Sequence, residues 1–327
     1  MNEYGTDNLT VSNPENTRVQ GYPPIRQGIS RFVAIGNFDG AHRGHASVAA
    51  HLRTLAEARA PGSGHECLAL TFDPHPREFF RPDQPHFRLL APQDRFSALL
   101  RIGFDGAIVL PFGPELANMS AADFVSEILI RRLGVAGVAV GEDFHFGKAR
   151  AGTPQFLIER GAAEGFAVSL VPPFRDEKGG IVSSSAIRKA LGEGRLAEAN
   201  AMLGYSYFVR AEVIHGAKRG RDLGFPTANM RLEDANGLAH GIYAVRATIE
   251  GRPVNGVANF GRRPQFDNGA PLLETFLFDF SGDLYGKEIV IAFEAFLRPE
   301  GKFVSIEALI EQMNRDCAEA RALLGPV

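Results

Sequence analysis

The chain has 327 residues, a length typical of two domains that each bury a core. Apolar residues make up 45% of the sequence and charged residues 22%, as in ordinary globular proteins. The formal net charge of −3 gives no reason to expect nucleic acid or an anionic membrane as a partner. Any binding of phosphate groups must therefore come from local geometry.

Cysteine content and hydropathy indicate the compartment. The two cysteines, Cys67 and Cys317, lie in apolar runs and predict buried thiols rather than a disulfide framework. No apolar stretch reaches the roughly 18 residues that a membrane span needs, and the polar N-terminus lacks a signal pattern. The sequence therefore predicts a cytoplasmic protein that does not enter a membrane, and it leaves open whether the chain forms a homo-oligomer.

The N-terminal half alternates between two periodicities. Residues 1–30 are polar and contain three prolines, which predicts a loose arm. Strand-like apolar runs follow at 31–35, 67–72, 106–111, 135–140 and 166–171. Helical periodicity lies between them at 46–59, 93–102, 121–133 and 154–163. This alternation predicts an α/β domain over 31–190, a doubly wound parallel sheet that binds ligands beyond the carboxyl ends of its strands.

The segment GNFDGAHRGH at 36–45 connects the first strand to the first helix. His42 and His45 stand at the helix start, where free N–H groups and the helix dipole attract a phosphate, and Gly44 lets the backbone approach a ligand. Two imidazoles at this spacing can stabilise charge that develops on a phosphoryl group. The alternatives are surface histidines or half of a metal site, which would need further ligands at close spacing.

Three later corners also carry chemical side chains. FDPHP at 72–76 is either a substrate-lining loop or a stiff connector. GEDFHFGKARAG at 141–152 suits a loop that grips a planar base and phosphates, or a solvated surface turn. SSAIR at 184–188 places hydroxyls and Arg188 in the first turn of a helix, which forms either an anion site or simple N-capping.

The C-terminal half has a different pattern. A linker helix is predicted within 191–205, and strand-like runs at 207–215, 241–249, 254–260, 272–280 and 288–297 follow without helices between them. This predicts a small antiparallel β-barrel over 206–327, closed by a helix at 305–324. The apolar stripe of that helix should pack on the barrel; its members are Ile306, Leu309, Ile310, Met313, Cys317 and Leu324.

Two segments of the barrel half carry side chains that are suited to binding or catalysis. Residues 215–229 form a basic, glycine-rich flap that ends in Thr227 and Asn229, whose oxygens suit a phosphate-bound Mg²⁺; a basic surface loop is the alternative. By alternation, Glu274 shares one strand face with Phe276, Phe278 and Phe280. Beside a phosphate site, this carboxylate would be a candidate general base for a hydroxyl.

The N-terminal motifs resemble a known family. His42-Arg43-Gly44-His45 with SSAIR resembles the HxGH and SSTxIR pair of the nucleotidylyltransferase superfamily, and the 36–45, 72–76 and 141–152 segments resemble the FAD synthetase module of prokaryotic bifunctional riboflavin kinase/FAD synthetases. Ser185 stands where the family usually has Thr, and Asp143 where some members carry Asn. The resemblance implies catalytic roles for His42 and His45. It implies nucleotide binding by Gly36, Asn37, Phe38, Asp39, Gly44, Asp143, Arg150, Ser184, Ser185 and Arg188, and flavin binding by Phe72, Pro74 and His75.

The C-terminal motifs resemble the riboflavin kinase module of the same family. They are GRDLGFPTAN at 220–229, Gly241-Ile242-Tyr243, Glu274-Thr275 and DLYG at 283–286, with departures at Gln265 and Phe276. The resemblance implies that Glu274 is the catalytic base and that Thr227 and Asn229 bind the metal. It implies nucleotide binding by Gly216, Lys218, Gly220, Arg221, Thr227 and Asn229.

Together the two resemblances imply one polypeptide with two consecutive activities. The barrel would phosphorylate riboflavin with ATP to give FMN, and the α/β domain would adenylylate FMN with a second ATP to give FAD and pyrophosphate, with Mg²⁺ as cofactor. Two alternatives remain at this stage. The N-terminal half could act on another phosphorylated small molecule, or the chain could be a flavin-sensing module without turnover, although its full set of reactive residues argues against the latter.

Overall fold

The computed structural model describes residues 17–215, 225–233, 235–262 and 271–327. They divide into two compact units. The first comprises the described residues up to His86 together with Pro92–Ser183, and the second comprises Phe87–Ala91 together with the described part of Ser184–Val327.

The first unit is built on a six-stranded parallel sheet. Its strands are β1 (Thr17–Gln20), β2 (Ile29–Ile35), β3 (Gly64–Asp73), β4 (Gly106–Pro111), β5 (Val135–Gly141) and β6 (Ala167–Val171). Their order across the sheet is β1-β4-β3-β2-β5-β6, and all the pairings are parallel. The predicted parallel sheet is therefore confirmed. The strand order reverses beside β2, so the corners after β2 and β5 face the place where such sheets bind ligands.

One strand was not predicted. β1 lies within the segment that the sequence indicates as a loose arm, and it pairs with β4 through backbone groups, with Thr17 opposite Gly106. Such pairing needs no apolar pattern, so a short polar strand at a sheet edge gives little sequence signal.

Helices cover both faces of this sheet. They are α1 (Arg43–Arg59), α2 (Pro76–Phe80), α3 (Pro92–Arg101), α4 (Pro114–Asn118), α5 (Ala121–Asp123, continued by a π-helix at Phe124–Arg132) and α6 (Pro154–Glu164). Alternate residues of β2 point to opposite faces, with Phe32 and Ala34 packing in one apolar cluster and Val33 and Ile35 in the other. The first cluster includes Leu52 of α1, and the second includes Leu157 of α6.

The second unit begins with two helices and continues as a barrel. Its elements are α7 (Ser184–Gly192), α8 (Leu196–Leu203), β7 (Phe208–Ile214), β8 (Thr227–Arg231), β9 (Gly241–Ile249), β10 (Arg252–Arg262), β11 (Pro271–Leu277), β12 (Glu288–Arg298) and α9 (Ile306–Leu324). The strands close in the order β10-β11-β8-β7-β12-β9. The predicted barrel and closing helix are confirmed, while the predicted domain bounds stay a prediction.

Two details of the barrel differ from the prediction. β8 forms a strand where the sequence indicated only the corner of a flap. β11 ends at Leu277, because the backbone turns at Asp279, whose φ is +54°, so Phe280 does not continue the strand face of Glu274. The assignment of three phenylalanines to that face is therefore wrong beyond Phe276.

The buried face of α9 also differs in part. Ala320 and Leu324 pack with Ala244 and Phe278 on the outside of the barrel, as predicted for Leu324, but Ile306 at the helix start is 60% exposed. Among the helices of the described residues, none combines the length and apolar character needed to cross a membrane.

The cysteines differ in burial. Cys67 is buried, and burial raises the pKa of its thiol to about 11. Cys317 is only partly buried, although burial also raises the pKa of its thiol to about 11. Both thiols therefore stay protonated near neutral pH, where thiols are poor nucleophiles.

Candidate active sites

The corner after β2 is a tight left-handed turn. Phe38, Gly40 and Ala41 all have positive φ, and the Ala41 N–H donates to the Phe38 carbonyl at 3.2 Å. The Phe38 ring is buried against Gly36, where a Cβ atom would lie 3.3 Å from it. This turn fixes the direction in which the chain enters α1.

The two histidines lie together at the start of α1. His42 is the N-cap, and its Nδ1 accepts a hydrogen bond from the His45 N–H at 3.4 Å. The two imidazole rings stack with their centroids 3.7 Å apart and their planes 17° apart. The Phe38 ring contacts His45 edge-on, at 5.2 Å between centroids. The structure thus brings both predicted imidazoles to one point at the carboxyl end of the central strand.

His45 carries an unsatisfied buried nitrogen. Its Nδ1 is inaccessible to solvent and has no hydrogen-bond partner among the described residues. Burial, and secondarily the neighbouring His42, lower the pKa of His45 well below its usual value. The ring is therefore neutral near pH 7, and an arriving phosphate would favour its protonation.

This shift predicts a pH dependence of stability. Below about pH 6.5 the unfolded chain protonates His45 while the folded chain does not, so the free energy of unfolding should fall as the pH drops from 7 to 5. Replacing His45 with asparagine should make that slope shallower, by an amount that corresponds to the uptake of up to about one proton on unfolding. Urea unfolding at several pH values measures the slope. Wild-type protein is the comparison, and equal slopes in the two proteins would contradict the expectation.

Gly44 is required by space. A Cβ atom at this position would lie 3.0 Å from Cε1 and 3.1 Å from Nδ1 of His42, and 3.2 Å from the Val182 carbonyl oxygen. All three contacts are tighter than ordinary van der Waals contact. A side chain here would therefore displace the His42 ring from its stack.

We expect Gly44→Ala to lower the rate of the reaction at this site by about 10- to 100-fold, because a displacement of about 1 Å in a catalytic group has effects of that order. Gly113→Ala is the matched control, since a Cβ atom there meets nothing within 4 Å and the φ of −138° suits alanine. Steady-state rates of both variants measure the effect. A Gly44→Ala variant as active as the control would contradict a role for the histidine stack.

The neighbouring corner residues take definite places. Asp39 is buried, and the Asn37 carbonyl accepts a hydrogen bond from Thr71 Oγ1 at 3.2 Å. Thr71 is fully buried on β3, so its hydrogen bond fastens the 36–45 segment to the neighbouring strand. Sequence reasoning missed Thr71 because it lies in an unremarkable apolar run.

The aromatic residues of the 141–152 loop pack toward the core. Phe146 is only 8% exposed and packs in the core with Phe124, and Phe144 stacks on it with 5.5 Å between centroids. The Phe146 ring therefore anchors the loop and is not available to grip a base. Asp143 and Arg150 are exposed, and a Cβ atom on Gly141 would lie 3.1 Å from Oδ1 of Asp143.

The 72–76 corner carries an aromatic surface. His75 caps α2 by accepting from the Arg77 N–H at 3.1 Å, and its ring lies 4.5 Å from that of His86. The ring of Phe72 contacts Phe112, which also contacts two rings of α2, at centroid distances of 5.4–5.7 Å; these rings belong to Phe79 and Phe80. Phe80 is 62% exposed. Sequence reasoning missed Phe79, Phe80 and Phe112, which lie outside the quoted motif.

The serine–arginine motif belongs to the second unit. Ser184, Ser185 and Arg188 lie on the first turns of α7, and Arg188 Nε donates to the Phe87 carbonyl at 2.6 Å. Val182, whose carbonyl oxygen lies beside Gly44, precedes Ser184 by two residues in the sequence. The joint action of these side chains with the histidines stays a prediction.

In the barrel, the structure brings three predicted residues together. Glu274 of β11 lies directly opposite Asn229 of β8, and the next pair on the same face is Phe276 with Thr227. Asn229 is 5% exposed, and its Nδ2 donates to the Thr227 carbonyl at 3.1 Å. That bond fixes the amide orientation, and it leaves Oδ1 buried without a hydrogen-bond partner among the described residues.

This orphaned oxygen fits a hard cation. An amide oxygen next to a hydroxyl and a carboxylate is the donor set that Mg²⁺ prefers, with phosphates and water completing its shell. Across the described ranges, no cluster of three or more His, Cys, Asp or Glu side chains offers a ready-made metal site.

A cavity of about 560 Å³ opens beside Thr227. Its walls include Pro226, Leu277 and Leu284, together with Tyr285, whose ring lies 3.8 Å from that of His215. Its volume falls in the range of small-molecule sites. Four predicted nucleotide-binding residues, Gly216, Lys218, Gly220 and Arg221, lie outside the described residues, as does Gln265.

Two family models match the chain. The model described as FAD synthetase matches residues 26–186, and the model described as riboflavin kinase matches residues 203–324. The bifunctional riboflavin kinase/FMN adenylyltransferase of Pseudomonas fluorescens is 40% identical over 296 residues, covering 90% of this chain and 93% of that protein. The protein of the same description from Escherichia coli strain K12 is 35% identical over 295 residues, covering 90% and 92%.

A solved structure matches almost the whole fold. A crystal structure described as a macrolide-efflux protein from Streptococcus pneumoniae superposes with a TM-score of 0.83 at 28% identity, covering 95% of this chain and 100% of that one. The activity in that description differs from the activities of the two relatives, and it is a statement about that protein and not about this chain.

Proposed function

We propose residue roles for this chain on the premise that it belongs to the family of bifunctional riboflavin kinase/FMN adenylyltransferases. The C-terminal barrel unit phosphorylates riboflavin with ATP to give FMN. The N-terminal α/β unit joins FMN to the AMP part of a second ATP and releases pyrophosphate, which gives FAD. Each of these two steps depends on its own set of side chains.

In the kinase reaction, Glu274 orients the terminal hydroxyl of riboflavin and accepts its proton. Its position directly opposite Asn229 is the observation that carries this assignment. Thr227 and Asn229 hold the phosphates and would hold Mg²⁺ through the Thr227 hydroxyl and the Oδ1 of Asn229, which has no hydrogen-bond partner within the described ranges. When bound, the cation neutralises charge on the phosphoryl group.

The nucleotide needs further contacts. The cavity beside Thr227 has the size and apolar walls to take the adenine of ATP. The Lys218–Arg221 flap, with Gly216 and Gly220, would cover the phosphates, as the family resemblance implies.

In the adenylyl transfer, His42 and His45 stabilise the charge that develops on the α-phosphate. The stack of their rings at the N-terminus of α1 supports this role, since the start of a helix attracts negative charge. Ser184, Ser185 and Arg188 hold the departing pyrophosphate. The corner residues 36–39 and 44, together with Asp143 and Arg150, bind the remainder of ATP.

FMN binds at the aromatic corner after β3. Phe72, Pro74 and His75 line it, and the exposed ring of Phe80 extends it, so a flat isoalloxazine ring finds aromatic surface there. A cytoplasmic location and the preference for Mg²⁺ stay predictions from the sequence.

A single time course tests these two activities. The protein is incubated with riboflavin, ATP and Mg²⁺, and FMN and FAD are separated chromatographically. FMN should appear first and FAD later, and FMN supplied directly should yield FAD without a lag. Turnover of riboflavin without any FAD, or the reverse, would remove one of the two activities.

A further inference from the structure

One row of side chains crosses the outer face of the barrel at the level of Glu274. Strand pairing places Asn259 of β10 directly opposite Glu274 on one side and Asn229 on the other. Ile242 of β9 follows Asn259, and Ile214 of β7 follows Asn229. Directly paired residues share a sheet face with their Cβ atoms about 5 Å apart. Glu274 is therefore flanked by two amides, and this polar group is bordered by two isoleucines.

Asn259 carries an oxygen atom that the described residues leave without a hydrogen bond. Its Oδ1 is inaccessible to solvent and has no hydrogen-bond partner there. Asparagine is disfavoured within strands, and a buried unpaired carbonyl oxygen is costly, so such an atom in a native protein points to an absent partner.

Asn255 on the same strand shows the contrast. Its Nδ2 donates to the Gly325 carbonyl at 2.8 Å, and its Oδ1 accepts from Arg246 Nε at 3.2 Å. Both functional atoms are thus used to fasten the chain after α9 to the barrel. Asn255 is a structural asparagine, whereas the Oδ1 of Asn259 has no hydrogen-bond partner among the described residues.

Asn259 and Asn229 lie on opposite sides of Glu274, and this placement indicates which substrate group could bond to Asn259. Phosphoryl transfer needs donor and acceptor in line, with the attacking hydroxyl between the γ-phosphate and the remainder of the acceptor. In the proposed site, Thr227 and Asn229 take the phosphates on one side of Glu274. The remainder of riboflavin then extends toward the other side, where Asn259 lies. Its ribityl chain carries several hydroxyl donors, and the orphaned Oδ1 is an acceptor.

We propose that Asn259 positions the acceptor substrate: its Oδ1 accepts a hydrogen bond from a ribityl hydroxyl other than the one that is phosphorylated. This bond holds the chain so that the terminal hydroxyl meets Glu274. The inference rests on the proposed role of Glu274 as the base, and it makes Asn259 a determinant of specificity for polyol-bearing flavins.

Asn259→Leu tests the proposal, because leucine has a similar size but no acceptor. The KM for riboflavin should rise about tenfold, as expected for one lost hydrogen bond, while the KM for ATP and the rate of FAD formation from FMN stay within about twofold. The thermal unfolding temperature should stay unchanged or rise, since an unpaired buried oxygen is removed. Asn255→Leu should lower that temperature and leave both KM values unchanged.

Riboflavin analogues that lack single ribityl hydroxyls sharpen the test. With one of these analogues, kcat/KM of the wild-type enzyme should fall about tenfold, while kcat/KM of the Asn259→Leu variant should stay as it is with riboflavin. The missing hydroxyl and the substitution of Asn259 would each remove the same hydrogen bond. Asn259→Ser, which retains an acceptor oxygen, should recover part of the loss.

Three results would overturn the proposal: an unchanged KM for riboflavin in Asn259→Leu, a raised KM for ATP instead, or losses that multiply for every analogue. Glu274→Gln separates this failure from that of the kinase assignment. If Glu274→Gln is inactive as a kinase and Asn259→Leu is normal, only the role of Asn259 is wrong. If Glu274→Gln retains turnover, the base assignment itself is wrong.

Discussion

The double variant His42→Ala/His45→Ala should lose FAD formation from FMN by about 10³-fold or more, because each group that stabilises transition-state charge contributes about 10²- to 10³-fold. The centroids of the two rings lie 3.7 Å apart, so both imidazoles can act on the same phosphate group, and the double variant removes both. FMN formation from riboflavin should stay within about twofold of wild type, because Glu274, Thr227 and Asn229 lie in the other unit. Separate assays of the two products measure both rates.

His51→Ala is the matched control, since His51 lies on the same helix, one turn or more beyond the histidine stack. Its Nδ1 lies 2.8 Å from the Ser47 carbonyl oxygen of that helix. It should retain both activities. Equal loss of FMN and FAD formation in the double variant would mean that the histidines serve folding or a shared site.

Glu274→Gln should lower FMN formation from riboflavin by about 10²- to 10⁴-fold, which is the contribution of a general base. Glutamine keeps the size of the side chain and one acceptor oxygen but cannot accept a proton at neutral pH. The pairing with Asn229 should survive, since both residues are held by the strand register. FAD formation from supplied FMN should be unaffected.

Glu212→Gln provides the control, because Glu212 is an exposed carboxylate on β7 of the same barrel. It should retain kinase activity. Near-normal riboflavin phosphorylation in Glu274→Gln would exclude Glu274 as the base, whereas loss of both activities would indicate a folding defect, which thermal unfolding of the variant would reveal.

The sequence was most informative where one residue type has one physical use. Gly44 is predictable, because only glycine leaves room for the His42 ring and the Val182 carbonyl. The two histidines at helix spacing, and the alternation of strand and helix patterns, likewise led to the correct sheet and corner. In each case the signal is local, within a few residues.

Features that depend on pairing between distant segments were missed. β1 and β8 are short strands stabilised by their neighbours' backbone groups rather than by an apolar pattern. Asn259 gains its meaning only from the register that places it beside Glu274, 15 residues later. The burial of Phe146 could not be read from a loop motif rich in glycine and charge, because it results from packing against Phe124.

The central claim is that one chain carries two independent nucleotide sites, and mixing the two variants tests it most directly. The His42→Ala/His45→Ala and Glu274→Gln proteins are combined with ATP, Mg²⁺ and an excess of riboflavin, and the products are separated over time. Each variant alone should form FAD from riboflavin at least about 100-fold more slowly than wild type, while the mixture should accumulate FMN and then convert it to FAD. A mixture that forms FMN but no FAD, although the Glu274→Gln protein converts supplied FMN, or a mixture that forms neither product, would contradict two independent sites.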